Sequence, residues 1–127
     1  MLKFTFLVKR SAGMTQKAFI DYHRNHHAPL FISIPEAKQY VKKYVVSHPQ
    51  ITEATHPQLV EHSKDPDYDA VTDIYFESME SFNNFFNSEN YKHKIQPDEI
   101  NFIDLANVKM LVCNELIVKE SSPEEII

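Results

Sequence analysis

Hydrophobic and polar positions along the chain fall into segments of two different periods. Leu2, Phe4, Phe6 and Val8 alternate with Lys3, Thr5 and Lys9, the period of two that a half-buried strand requires, which predicts a strand from Leu2 to about Arg10, broken mildly by Leu7. Ser11 to Met14, with the only glycine at Gly13, reads as a turn. Thr15 can then accept a hydrogen bond from a free N–H of a first helical turn, and Phe19, Tyr22, His23, His26 and His27 recur at three- and four-residue spacings. That spacing stacks aromatic and imidazole rings on one helix face. Pro29 disfavours helical geometry at Ala28, which places the histidines in a last turn whose carbonyl ends favour a protonated imidazole. A second short helical piece fits after Pro29, closed by Ile34 and Pro35.

Lys38 to His48 reads as the second strand, with Tyr40, Tyr44 and Val46 on one side and Val41 and Val45 on the other. Pro49 to Asp69 has no sustained apolar period and reads as a long loop, either a lid or a surface excursion with one helical turn around Gln58 to His62. Ala70 to Ser78 is the third strand, with Ala70, Thr72, Ile74 and Phe76 on one face and Val71, Asp73, Tyr75 and Glu77 on the other. Ser78 can cap a helix whose stripe is Phe82, Phe85 and Phe86, resuming through Tyr91, Ile95, Ile100 and Ile103 with a break or kink at Pro97. Asn107 to Val118 is the fourth strand. Residues 121–127 read as a frayed tail and residues 1–120 as one domain.

Strand, helix, strand, strand, helix, strand is the order of an α+β ferredoxin-like βαββαβ sandwich, an antiparallel sheet with its helices on one face. The second and fourth strands are apolar on both sides, so the open sheet face needs a cover. A second copy, packed through Tyr40, Tyr44, Val108 and Met110 or their opposite-face neighbours, supplies one and predicts a homodimer.

Charge narrows the partners. A net charge of −5 without a Lys/Arg cluster argues against nucleic acid and anionic membrane surfaces, which need a concentrated basic footprint. No apolar run approaches the roughly 20 residues of a spanning helix. Cys113 is the single cysteine, so no intrachain disulfide forms, and MLKFTFLVKR alternates too regularly for a signal segment, which together point to the cytoplasm.

The stretch MTQKAFIDYHRNHHAPL resembles the opening motif of the EthD family, in which a Met-Ser/Thr start precedes a Phe, an aromatic pair and then His-Ala-Pro-Leu. PDYDAVTDIYFES, SFNNFF and PDEINFID are similar to the fungal branch of that family, so the resemblance runs through nearly the whole chain. One departure is Tyr22-His23, where family members commonly carry tyrosine-tryptophan. The resemblance implies a dimeric α+β barrel with a cavity between sheet and helices. Relatives in that superfamily include cofactor-free oxygenases, dehydratases and decarboxylases of polyketide pathways, lactone isomerases and haem-degrading enzymes, so the fold alone settles no reaction.

His27, matched to the family's histidine before Ala-Pro, is the leading general acid/base, set against a purely structural helix-end role. Tyr22 and Asp73 are second catalytic candidates: a phenol can hydrogen-bond an oxygenated substrate, and a carboxylate can fix an imidazole's tautomer. Asp73 enters because Val71, Asp73, Tyr75 and Glu77 mix polar and apolar groups, as a cavity lining does. Phe6, His23 and Tyr75 complete the expected substrate pocket. His23 and His27 sit at i and i+4, but the motif lacks the glutamate of H-E-x-x-H, so no metal is expected; no motif specifies haem or another cofactor. Glu99 and Asp104 read as a helix-end and interface pair, and Cys113 as a buried structural thiol.

The expected function is therefore dehydration, isomerisation or oxygenation of a hydrophobic oxygenated aromatic, polyketide or lactone-like small molecule. The alternative is a non-catalytic dimeric carrier of an apolar ligand.

Overall fold

A computed structural model describes residues 1–50 and 67–122. Strands β1 (Leu2–Val8), β2 (Lys43–Ser47), β3 (Ala70–Phe76) and β4 (Lys109–Cys113) form one antiparallel sheet in the order β2-β3-β1-β4. Helices α1 (Gln16–Tyr22), α2 (Ala28–Ser33) and α3 (Pro35–Tyr40) lie between β1 and β2, and α4 (Met79–Phe86) and α5 (Gln96–Glu99) between β3 and β4. This is the ferredoxin-like α+β order that the alternation of periods predicts.

Register decides which face is which. Phe4 opposes Ile74, Phe6 opposes Thr72 and Val8 opposes Ala70, so these side chains, with Phe76, point together towards the helices. Phe4, Ala70 and Phe76 are fully buried there. Phe82 of α4 stacks on Phe4 at 4.2 Å, and Phe31 of α2 packs against Phe85 at 5.0 Å, closing one core between sheet and helices. A second cluster gathers Val8, Phe19 and Ala70 around Phe102.

The caps fall where the sequence places them. Thr15 accepts from the Ala18 N–H, and Ser78 accepts from the Ser81 N–H, each satisfying a first-turn donor. The second strand starts later than its apolar pattern implies: Pro35 and Glu36 begin a helical turn that runs to Tyr40, burying Ala37 and half-burying Tyr40 on the core side. Tyr44 also faces inward, stacked on Phe31 at 4.5 Å, so neither tyrosine lies on the open sheet face. The fourth strand is shorter than expected because, among the described residues, it pairs with β1 alone, and that pairing ends at Lys3 opposite Cys113. Leu116, Ile117 and Val118 beyond it are exposed, at 82, 62 and 88%. Most of the Pro49 to Asp69 loop, including Gln58 to His62, and residues 123–127 of the tail lie outside the described residues.

Pro29 does not end its helix as expected, whereas at Pro97, where a break or kink is expected, a π turn interrupts the helical run and the chain continues. His23–His27 forms a π turn, with the Ala28 N–H bonded to the His23 carbonyl, and Ala28 is itself helical at φ −62°, ψ −46°. Tyr91–Ile95 repeats the device, with the Gln96 N–H bonded to the Tyr91 carbonyl ahead of Pro97. A proline ring clashes with the carbonyl four residues back in a regular helix, and widening the preceding turn to an i→i+5 bond lets the chain continue. The histidines thus sit mid-path, not at a frayed end.

Phe102 has no exposed surface and meets the rings of Phe19, Tyr22, His23 and His27 at 5.6, 5.2, 5.2 and 4.7 Å. Phe102→Ala should cost about 3–5 kcal/mol in urea unfolding, whereas Ile100→Ala, at a side chain 69% exposed, should stay within roughly 0.5 kcal/mol.

Candidate active site

Residues of both π turns line one cavity of about 160 Å³, whose walls include the apolar Phe6, Phe31, Ile74 and Phe86 and the polar His23, His27, Tyr44, Thr72, Tyr91 and Glu99. The volume is close to that of an engineered cavity that holds one benzene ring.

His27 is buried, and its Nδ1 lies 2.9 Å from Asp98 Oδ2. Asp98 is buried too; Tyr22 donates its hydroxyl to Oδ1, Asn101 Nδ2 donates to the same oxygen at 3.1 Å, and His26 Nε2 approaches it at 3.3 Å. Burial pushes the Asp98 carboxyl up, but the hydrogen bonds from Tyr22, His27 and Asn101 outweigh it and hold the group below the ordinary carboxylate range. An ionised carboxylate only accepts, so His27 carries its proton on Nδ1 and leaves Nε2 with a lone pair. Among the described residues nothing bonds that nitrogen, and no fully enclosed side-chain nitrogen or oxygen is left without a partner. Burial lowers the His27 pKa despite the opposing pull of Asp98, so the helix-end expectation of an easily protonated ring gives way to a neutral base.

His23 has the complementary state. Arg24 Nε, which can only donate, reaches His48 Nδ1 at 3.0 Å, and His48 Nε2 lies 3.1 Å from His23 Nδ1. His48 must therefore accept on Nδ1 and donate from Nε2, leaving His23 to accept on Nδ1 and carry its own proton on Nε2. Burial, then His48, His27 and Arg24, push the His23 pKa down to about 3. The cavity wall thus carries a neutral imidazole acceptor at His27 and a neutral imidazole donor at His23.

Not every predicted residue converges here. Phe6, His23 and His27 line the cavity; Tyr22 stands behind it, fixing Asp98. Asp73 and Tyr75 sit on the opposite face of β3. Asp73 accepts from Thr5 Oγ1 at 2.7 Å and lies 3.9 Å from Lys3 Nζ, while the Tyr75 hydroxyl donates to Glu115 at 2.7 Å. The mixed composition of that face reflects a surface polar network. Asp98 takes the imidazole-orienting place expected of Asp73, and Glu99, read with Asp104 as a helix-end and interface pair, does end α5 and also lines the cavity. Their adjacency in PDEINFID is the only local signal; the partnership of Asp98 with His27 spans 71 positions and carries no periodic signature.

Among the described residues no group of three or more His, Cys, Asp or Glu side chains is placed to hold a metal ion, and no helix is long and apolar enough to cross a membrane.

Comparison with known proteins places these features in context. The EthD domain model matches residues 11–106. A conidial pigment biosynthesis dehydratase EthD of Metarhizium robertsii is 28% identical over 118 residues, covering 88% of this chain and 80% of that protein. An EthD family protein of Bacillus halodurans superposes with a TM-score of 0.63 at 16% identity, covering 91% of this chain and 100% of that one. A dabb family protein with a ferredoxin-like fold from Mesorhizobium loti superposes with a TM-score of 0.53 at 10% identity, covering 91% and 96%.

Two measurements check the site's protonation. Nitrogen NMR of the imidazoles should find His27 protonated on Nδ1 and His23 on Nε2, and Arg24→Ala should loosen the second assignment without changing the first. A histidine whose folded pKa is depressed stabilises the fold fully above its unfolded value and loses that contribution as pH falls towards the folded value. Urea midpoints should therefore fall as pH drops from 6.5 towards about 3 as His23 becomes protonated in the unfolded chain alone, and His23→Gln should flatten that slope.

Proposed function

This chain belongs to the EthD domain family, and from that premise we propose that it is a small-molecule enzyme running acid/base chemistry without a bound cofactor, with His27 as the general base. The observation that carries the reading is the His27–Asp98 hydrogen bond of 2.9 Å at the wall of a mostly apolar cavity. A buried carboxylate behind an imidazole fixes its tautomer and aims the free lone pair forward, while the surrounding rings exclude water. The Metarhizium robertsii relative's name, a pigment biosynthesis dehydratase, supports a proton-transfer reaction over simple carriage of an apolar ligand.

The substrate class follows from the walls. Phe6, Phe31 and Phe86 offer ring faces to a flat molecule, and His23, Tyr44 and Thr72 offer polar contacts to its oxygens. Removing a proton next to a carbonyl needs a base and a donor for the developing enolate oxygen. His27 Nε2 is placed for the first task and the Nε2–H of His23 for the second. Asp73 and Tyr75 have no part in this reading. Tyr22 acts through Asp98 as a positioning residue.

A homodimer belongs to the same proposal, formed through the open sheet face of Leu7, Val45, Val71 and Leu111. Leu111 is 52% exposed in the single chain and lies on a surface that the helices leave uncovered. Light scattering after size exclusion at low micromolar concentration should give twice the chain mass.

Conversion of oxygenated aromatic ketones and lactones, screened with and without oxygen, is the test of activity. His27→Ala should lower kcat by about 10²- to 10⁴-fold while leaving KM and dimerisation largely unchanged; a parent protein that binds these compounds but converts none points to the carrier. Because burial holds the His27 pKa below its usual value, activity should decline only on the acid side of neutrality, through a limb absent from the variant. Activity should also survive a chelator; reversible silencing would replace this reading with a metal site.

A further inference from the structure

Glu99 is the cavity's unassigned acid. It is partly buried and lines the same void as His27, and Tyr91, itself buried, donates its hydroxyl to Glu99 Oε1 at 2.6 Å. The second oxygen has no partner among the described residues. Resting on the reading of His27 as base, we propose that Glu99 delivers a proton to a departing hydroxyl, so that the reaction is loss of water from a β-hydroxy carbonyl compound.

Neighbouring groups support the division of labour. Asp98 and Glu99 are adjacent carboxyl groups with opposite environments. Asp98 collects three hydrogen bonds and stays ionised. Glu99 has one neutral donor and no cationic partner among the described residues; burial pushes its pKa up, Tyr91 pulls it down, and the Asp98 carboxylate adds to the rise. Burial, the largest cause, likewise pushes the Tyr91 phenol upward, so it stays a donor. His27, whose free Nε2 accepts, and Glu99, whose carboxyl burial shifts towards the protonated form, line one cavity, and an acceptor beside a donor is the pattern of a base and acid working in concert.

The step balances without an oxidant. His27 Nε2 takes the proton from the carbon next to the carbonyl, and the C–H electron pair moves towards the carbonyl oxygen, which the His23 Nε2–H meets. That pair then returns to form the C=C bond as the C–O bond breaks. The departing oxygen takes the Glu99 proton and leaves as water. His27 is left protonated and Glu99 ionised, and proton exchange with solvent restores both.

The probe is 3-hydroxy-1-tetralone, a flat β-hydroxy ketone whose dehydration gives fluorescent 1-naphthol, assayed above its spontaneous background. Glu99→Gln keeps the shape and a polar partner for Tyr91. It should slow elimination by about 10²- to 10⁴-fold, yet still exchange the proton at C2 with deuterium from D₂O, because the base is intact. With 3-acetoxy-1-tetralone, whose leaving group departs as a stable anion, the variant should approach the parent rate. Tyr91→Phe, which keeps the acid, should retain most of the elimination of the hydroxy probe. His27→Ala should lose exchange and elimination together. Parental elimination in Glu99→Gln beside an inactive His27→Ala overturns the Glu99 assignment alone. So does an equal loss of exchange and elimination in Glu99→Gln, or a Tyr91→Phe loss as large as that of Glu99→Gln. A parent protein that neither exchanges nor eliminates overturns the His27 reading and this one with it.

Discussion

Asp98 is the group on which the site depends. A carboxylate only 7% exposed is tolerable in a protein interior only if its lone pairs are filled. Tyr22, His27 and Asn101 fill them, and His26 stands beside them. These partners come from α1, from the π turn that follows it and from the residues after α5, so one charge fastens two helical segments far apart in the chain. Removing a partner would leave buried charge unpaired. That penalty fixes the His27 tautomer more firmly than ring packing could, and it ties the fold's stability to the protonation state that a base requires.

Backbone geometry brings those partners into reach. Both helical runs contain a proline two residues after a π turn, and each π turn presents site residues: His23 and His27 from the first, Tyr91 from the second, with Asp98 and Glu99 directly after Pro97. An extra residue in a turn rotates everything beyond it around the helix axis. His23 and His27, i and i+4 in sequence, both lie buried at the cavity, whereas His26 is 57% exposed at its side chain. Proline here adjusts side-chain direction without ending the element.

This explains what could be read in the sequence and what could not. Strand periods, the Thr15 and Ser78 caps and the order of elements are local properties, and local physics predicts them. Lys38 to Tyr40 defeated the same logic because a short segment with only Ala37 and Tyr40 apolar, following Pro35, satisfies a helical turn as readily as a strand start. Asp73 failed for a different reason. Alternation says that Asp73 and Ile74 face opposite ways, but only pairing with Thr5 on β1 and Val45 on β2 decides which face meets the helices. His27 stands out through its motif; the partners that set the protonation of the two histidines, Asp98 for His27 and His48 for His23, lie 71 and 25 positions away. No periodicity records such contacts.

The arrangement also bears on the choice between enzyme and carrier. A cavity meant only to hold an apolar ligand gains nothing from ionisable walls, since each buried polar group costs free energy unless it is satisfied, and satisfying it consumes neighbouring side chains. Here Arg24, His48, Tyr22, Asn101 and Tyr91 are all engaged in holding His23, Asp98 and Glu99. A structural network would be complete when every donor met an acceptor within the protein. Among the described residues this one stops short at the cavity, where the Nε2 atoms of His23 and His27 and one oxygen of Glu99 have no protein partner. Those three groups, an N–H, a lone pair and a carboxyl, are the minimum set for taking a proton, steadying an enolate and releasing a hydroxyl.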